Sequence, residues 1–186
     1  MKKENKSSLS EAIEINKKQA EFYNNISIKE SEELFTGYGK NESANLITRL
    51  WARLRYAHQD AFEDIGVNTK KESFLLEKCK EKAGGRFLEI GCFRGTRYSD
   101  PIIEYAGSYT GIDLSSDAIA AFQNTVNKDG RYKKVSLISG DLLQHNPDEK
   151  YDVLFAHGVL HHFESPEILF DCLNSLIKPG GVLLCA

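Results

Sequence analysis

Three clusters of glycine and acid carry most of the chemistry this sequence can offer. The first, Glu89-Ile90-Gly91-Cys92-Phe93-Arg94-Gly95-Thr96, reads as a strand that runs through a glycine-bearing loop into a helix. Such a loop lets the backbone approach a ligand, and the following helix N-terminus offers free amide donors to a carboxylate or phosphate. Asp113 follows Gly91 by 22 residues and closes the next apolar run, where a carboxylate can accept both hydroxyls of a ribose. Asp141, in Ser139-Gly140-Asp141-Leu142-Leu143, follows a third run and can accept from an adenine amino group. Each acid also has a plainer role as a helix N-cap or loop residue. Singly, each favours that role; jointly, at consecutive strand ends, they favour a nucleoside site. After a fourth run, His161 and His162 are candidates for a general base, since histidine titrates near neutral pH. The favoured role for either is packing at a strand–helix junction or simple solvation.

The elements that must position these residues follow from the pattern. Strands are predicted at 86–90, 108–112, 134–138 and 151–156, and helices at 117–127 and 166–177. Lys178-Pro179-Gly180-Gly181 reads as a turn before a fifth strand, Val182-Leu183-Leu184-Cys185-Ala186. Strands separated by helix-length crossovers pair in parallel, with helices on both faces and ligands at the carboxyl ends. The expected fold class is α/β, a doubly wound and mainly parallel sheet preceded by a helical segment.

Ahead of Gly84-Gly85 the apolar spacing is helical. Ser8 and Glu11 form a capping-box pair before an amphipathic stretch reaching Tyr23. A stripe from Leu46 through Leu50, Trp51 and Leu54 to Ile65 predicts a second helix that Gly66 stops. Thr69 and Glu72 form another capping box, opening a third helix through Phe74, Leu75 and Cys79. Thr36-Gly37-Tyr38-Gly39 reads as a loop, and Arg49 and Arg53 as a solvated face. Residues 1–85 are therefore expected as an N-terminal helical extension and 86–186 as the α/β domain. The charge follows this division, with 15 basic against 14 acidic residues in the first part and 9 against 13 in the second.

The ordered series Leu88-Glu89-Ile90-Gly91-Cys92, Gly111-Ile112-Asp113-Leu114-Ser115, Gly140-Asp141, Asp152-Val153-Leu154-Phe155-Ala156 with His157-Gly158-Val159-Leu160-His161-His162-Phe163, and Leu176-Ile177-Lys178-Pro179-Gly180-Gly181 resembles class I S-adenosylmethionine-dependent methyltransferases. The resemblance covers residues 86–186 and implies a Rossmann-like, cofactor-binding domain of the small-molecule type. It implies S-adenosyl-L-methionine as cofactor, with Glu89, Gly91 and the adjoining loop residues Cys92 and Gly95 facing the methionine end. Asp113 would hold the ribose and Leu114 would pack near the adenine. Asp141 and the Leu142 backbone would read the adenine, and the His157 backbone would lie beside the methionine moiety. No catalytic residue is assigned and no metal is implied. In such relatives N-terminal helices often form a lid, which Phe22, Tyr23, Trp51 and Tyr56 would line here. Two departures stand out. Phe93 occupies a position where the family usually has glycine. The family sheet normally has seven strands, and this chain stops inside the fifth, which predicts a C-terminally truncated piece or self-association through an exposed last strand.

Composition removes other classes. The chain has 186 residues and a net charge of −3, which argues against a broad nucleic-acid-binding face. No apolar run approaches the ~18–20 residues of a membrane span, and the start lacks a secretory apolar core. Cys79, Cys92, Cys172 and Cys185 show no Cys-x-x-Cys pair, which predicts reduced thiols in a cytoplasmic protein. The loop after the fourth strand has neither an Asn-Pro-Pro-Tyr-type sequence nor a Pro-Cys nucleophile, so DNA is disfavoured and a small-molecule methyl acceptor expected. The alternatives are a non-catalytic cofactor-binding or partner subunit, a protein or RNA methylase, and a nicotinamide-binding dehydrogenase. The Gly91-x-x-x-Gly95 spacing fits the last of these poorly.

Overall fold

The computed structural model describes residues 8–25, 67–128 and 133–185. The predicted second helix, with Trp51, Tyr56, Arg49 and Arg53, and the Thr36–Gly39 loop lie outside the described residues. The chain divides into two compact units, one of Met1–Asn25 with Lys78–Ala186 and the other of Ile26–Glu77.

The first unit is a five-stranded sheet with strands β1 (Arg86–Ile90), β2 (Ser108–Asp113), β3 (Val135–Ser139), β4 (Tyr151–Ala156) and β5 (Ile177–Cys185). Its order is β3-β2-β1-β4-β5 and every pairing is parallel. Helices α1 (Leu9–Asn25), α2 (Val67–Glu81), α3 (Ser99–Tyr105), α4 (Ser116–Lys128) and α5 (Pro166–Leu176), with short 3₁₀ turns at Leu142–Gln144 and Leu160–His162, complete the described elements. This is the doubly wound, Rossmann-like α/β fold. The order reverses between β1 and β4, so the crevice outside the carboxyl ends of those strands is where such a sheet takes a ligand.

Burial explains why β1 and β4 are central. Phe87, Leu88, Val153, Leu154 and Phe155 are inaccessible to solvent, as strands covered on both faces must be. On one side α5 presents Leu169, Leu173 and Leu176 to Leu88, Ile90 and Leu154. Their i, i+4, i+7 spacing makes one helical stripe, and each buried leucine contributes about 1.5–3 kcal/mol of burial. Ser165 caps α5 by accepting from the Ile168 amide, and Pro166 takes the first turn, where no backbone donor is needed. Helix α4 buries Ala118, Ile119, Phe122 and Val126 and packs along β2 and β3.

The Ser8–Glu11 capping box is present in full. The Ser8 amide donates to Glu11 Oε2 at 2.7 Å and the Glu11 amide to Ser8 Oγ at 3.3 Å. Helix α2 starts earlier than the second expected box places it. Helix α2 begins at Val67, two residues ahead of Thr69, so Thr69 sits inside the helix rather than at its cap. The turn expected at 178–181 is absorbed into β5. Tyr151 pairs with Ile177 while Val153 pairs with Val182, so the extra residues form a bulge in a continuous strand. Gly180 takes φ +76° there, its carbonyl accepts from Lys82 Nζ at 2.8 Å, and Lys178 Nζ reaches Asp152 Oδ2 at 2.8 Å. Those hydrogen bonds, made across the fold, let the extra residues stay with the sheet.

Candidate functional site

The carboxyl ends of β1, β2, β3 and β4 converge, and backbone bonds hold their loops together. Leaving β1, Gly91 and Cys92 both donate to the Ile112 carbonyl of β2, at 2.9 and 3.3 Å. Gly91 has φ +70°, and a Cβ there would lie 2.7 Å from Val159 Cγ2 in the loop after β4. A side chain at this position would therefore force the β1 and β4 loops apart. The Gly140 amide donates to the Asp113 carbonyl at 2.9 Å, which ties the end of β3 to the end of β2.

Asp113 is the junction of this arrangement. Its Oδ2 accepts from the Phe93 amide and its Oδ1 from the Ser115 amide, both at 2.9 Å. Burial pushes its carboxyl above the ordinary range, against the pull of the Ser115 and Phe93 amides. Phe93 is the single non-glycine among the described residues with a left-handed backbone, φ +47°. It thus adopts the conformation glycine would supply, and its half-buried ring lies under the Arg94 guanidinium at 5.2 Å.

Glu89 sits beneath the loop rather than on its surface. It is 1% exposed and accepts from Thr96 Oγ1 at 2.7 Å, Ser99 Oγ at 2.8 Å and Tyr109 Oη at 2.6 Å. Burial outweighs these three donors and holds its carboxyl above the usual range. Cys92 is likewise fully buried, and burial with the nearby Glu89 charge pushes its thiol far up. Gly95 lies on the exposed part of the loop at φ +91°. The expected free amide donors are not found at the start of the next helix. That helix, α3, opens at Ser99, and the amides of Thr96, Tyr98 and Ser99 are engaged by Ser99 Oγ, Thr96 Oγ1 and the Thr96 carbonyl.

At the end of β3, Asp141 opens the short 3₁₀ turn Leu142–Gln144, with Oδ1 accepting from the Leu143 amide at 2.9 Å. Asn16 Nδ2, from α1, donates to the same oxygen at 2.9 Å. Asp141 Oδ2 is buried and has no hydrogen-bond partner among the described residues. A buried carboxylate oxygen with no donor is costly, by about 1–3 kcal/mol, unless a ligand supplies one. Leu142 is buried beside it and Leu114 half-buried after Asp113. The His157 ring lies 4.9 Å from that of buried Tyr98.

Helix α1 lies across these ends. Besides Asn16, Gln19 Nε2 donates to the His162 carbonyl at 3.0 Å and Asn24 Oδ1 accepts from Ser115 Oγ at 2.9 Å. Tyr23 Oη and His162 Nε2 stand 3.5 Å apart. Burial, helped by the nearby His161 charge, lowers the His162 pKa, and the two histidine rings are 4.0 Å apart. Tyr23 was read from the sequence as a lid residue; Asn16, Gln19, Asn24, Thr96, Ser99 and Tyr109 were not identified there. The available signal was Asn16 itself, a polar residue one helical turn after Ala12 on the buried stripe of α1.

An open parallel α/β sheet with acids at the ends of its second and third strands and a glycine loop after its first has the class of architecture that can hold a nucleoside. The chain belongs to the methyltransferase-domain family, whose model matches residues 88–183. It is similar to malonyl-[acyl-carrier protein] O-methyltransferase 2 of Ilyobacter polytropus, with 33% identity over 99 residues, 52% of this chain and 37% of that protein. Among solved structures it resembles the N-methyltransferase NodS of Bradyrhizobium japonicum at 25% identity and TM-score 0.54, covering 63% of this chain and 66% of that one. It also resembles a Thiobacillus denitrificans methyltransferase in complex with S-adenosyl-L-homocysteine, at 26% identity and TM-score 0.53, covering 62% and 47%. The matches span 33–52% of the length of the first three curated relatives.

Proposed function

We propose that this protein binds S-adenosyl-L-methionine at the carboxyl ends of β1–β4 and transfers its methyl group to a small-molecule acceptor. The observation that carries the reading is the buried, donor-less Oδ2 of Asp141, one strand from the Asp113 carboxylate. An adenine amino group supplies the missing donor, and a ribose diol suits Asp113. In this reading Gly91, Gly95, Leu114, Leu142 and the His157 backbone line the cofactor, while Glu89 and Cys92 support the loop from below. The Thiobacillus relative, crystallised with S-adenosyl-L-homocysteine, supports the same choice.

When bound, the cofactor supplies an already activated sulfonium methyl. The chain's own work is then alignment and exclusion of water. Glu89, through Thr96 and Ser99, fixes the path of the loop after β1, and Gly91 allows the β1 and β4 loops to close together. His162, its pKa lowered by burial and by His161, is a candidate proton acceptor in the loop after β4 for a hydroxyl or ammonium acceptor.

The acidic balance and the loop after β4 support a small molecule over DNA. The Ilyobacter relative is named for malonyl-[acyl-carrier protein], so carrier-bound acids belong in the acceptor screen. Four free cysteines support a cytoplasmic location. The first test is a thermal-shift comparison of S-adenosyl-L-homocysteine with NAD. At a hundredfold excess over Kd, binding adds about 2.7 kcal/mol. For a protein of this size that raises Tm by roughly 5–10 °C. A shift with NAD alone overturns the reading.

A further inference from the structure

We infer that Asn16 is a positioning residue for cofactor recognition, orienting the Asp141 carboxylate so that its free oxygen selects a 6-aminopurine. The inference rests on the S-adenosyl-L-methionine reading above and deepens it.

A carboxylate at a loop end has two equivalent oxygens and a soft terminal torsion, so selectivity requires that one oxygen be occupied and the other presented. The Leu143 amide alone fixes Oδ1 from within the same turn. The second donor on Oδ1 comes from 125 residues away, Asn16 on α1 at 2.9 Å, with Asn16 itself only 5% exposed. With both donors on Oδ1, rotation that exchanges the two oxygens breaks two hydrogen bonds. Oδ2 is thereby held buried and donor-less. An oxygen in that state favours an N–H donor and repels a carbonyl, because a buried acceptor facing another acceptor is left unpaired. The amide of Asn16 presents Nδ2, its donor, to Asp141 Oδ1. The same helix is anchored at Ser115 through Asn24 and at the His162 carbonyl through Gln19, which fixes where Asn16 stands.

The test compares two ligands on two proteins by calorimetry: S-adenosyl-L-homocysteine, and S-inosyl-L-homocysteine, whose C6 carries oxygen in place of the amino group. The parent should prefer the adenosyl ligand by about a hundredfold or more, because a site whose buried acceptor is matched to a ligand N–H rejects an analogue that lacks it. Asn16→Leu, with the same branching and number of side-chain heavy atoms but no donor, should cut that preference to about tenfold or less, chiefly by weakening the adenosyl ligand. Equal weakening of both ligands with the ratio unchanged would mean that Asn16 merely docks α1, and would overturn the inference. A parent that binds both ligands equally overturns it too while leaving the cofactor reading intact; a parent that binds neither removes both. Should Asn16→Leu melt below the assay temperature, Asn16→Ser, whose hydroxyl is too short to reach Asp141, reads the same ratio.

Discussion

The backbone amide of Phe93 donates to Asp113 Oδ2 at 2.9 Å, and it does so from a left-handed backbone with φ +47°. An L-residue in that conformation costs about 1–2 kcal/mol, and the surrounding bonds must hold it there. The pairing explains how a chain with phenylalanine in place of the family's glycine keeps the loop after β1 in shape.

Phe93→Gly should therefore leave the fold intact. Relief of the strained φ and the added freedom of the unfolded chain oppose each other, so stability should stay within about 1 kcal/mol of the parent. Phe93→Val, β-branched and averse to positive φ, should lose about 2 kcal/mol and weaken S-adenosyl-L-homocysteine binding. Urea melts and calorimetry on both variants check this. A Val variant as stable as the parent would show that the left-handed conformation is not retained in solution.

Asp113→Asn places an amide nitrogen against either the Phe93 or the Ser115 donor. Leaving one buried donor unpaired should destabilise the protein by about 1–3 kcal/mol. The larger effect should be on ligand affinity, about tenfold or more, because two positioned hydroxyls lose a charged acceptor.

The pH dependence of stability should carry the signature of Glu89. Burial holds its folded carboxyl above the ordinary 4.5, against the hydroxyls of Tyr109, Thr96 and Ser99. The folded state thus takes up this proton more readily than the unfolded chain, and its contribution is lost as pH rises from 4.5 through the folded value. Asp113 acts with the same sign from its ordinary 3.8 upward. Asp152 has the opposite sign, because Lys178, the Arg86 amide and Lys82 outweigh burial; its contribution is lost only as pH falls below 3.8. As pH rises above 4.5, the unfolding free energy of Glu89→Gln should fall less than that of the parent. Parallel curves would place the Glu89 pKa at its ordinary value.

Leu173 is 3% exposed and packs with Leu88 and Leu154 beneath the sheet. Leu173→Ala should cost about 2–5 kcal/mol by leaving a cavity. Ligand affinity measured well below its Tm should change far less than stability, since α5 reaches the site only indirectly, through Leu142, whose carbonyl accepts from Cys172 Sγ.

What could be read from the residues alone divides along physical lines. β4 was legible to the residue, because Val153–Ala156 is an unbroken apolar run, with Tyr151 and Asp152 leading into it and glycine soon after. The Ser8–Glu11 box was legible because it is local, and the strand-end acids because strand order repeats in sequence. Thr69 misled, since α2 takes in Val67 and Asn68 ahead of it. Lys178–Gly181 carries every mark of a turn, and only the Lys82, Asp152 and Lys178 partners across the fold keep it within β5. The α1 contacts were out of reach for the same reason. Asn16, Gln19 and Asn24 meet partners 125, 143 and 91 residues away, and no local pattern encodes such pairs.

The most direct test of cofactor binding at these strand ends is isothermal titration with S-adenosyl-L-homocysteine, run on the parent and on Asp113→Ala, with NAD as control. The account predicts one site per chain in the micromolar range for the parent, about tenfold or greater weakening in the variant, and no heat with NAD. Equal affinity in parent and variant, or binding of NAD alone, would contradict it.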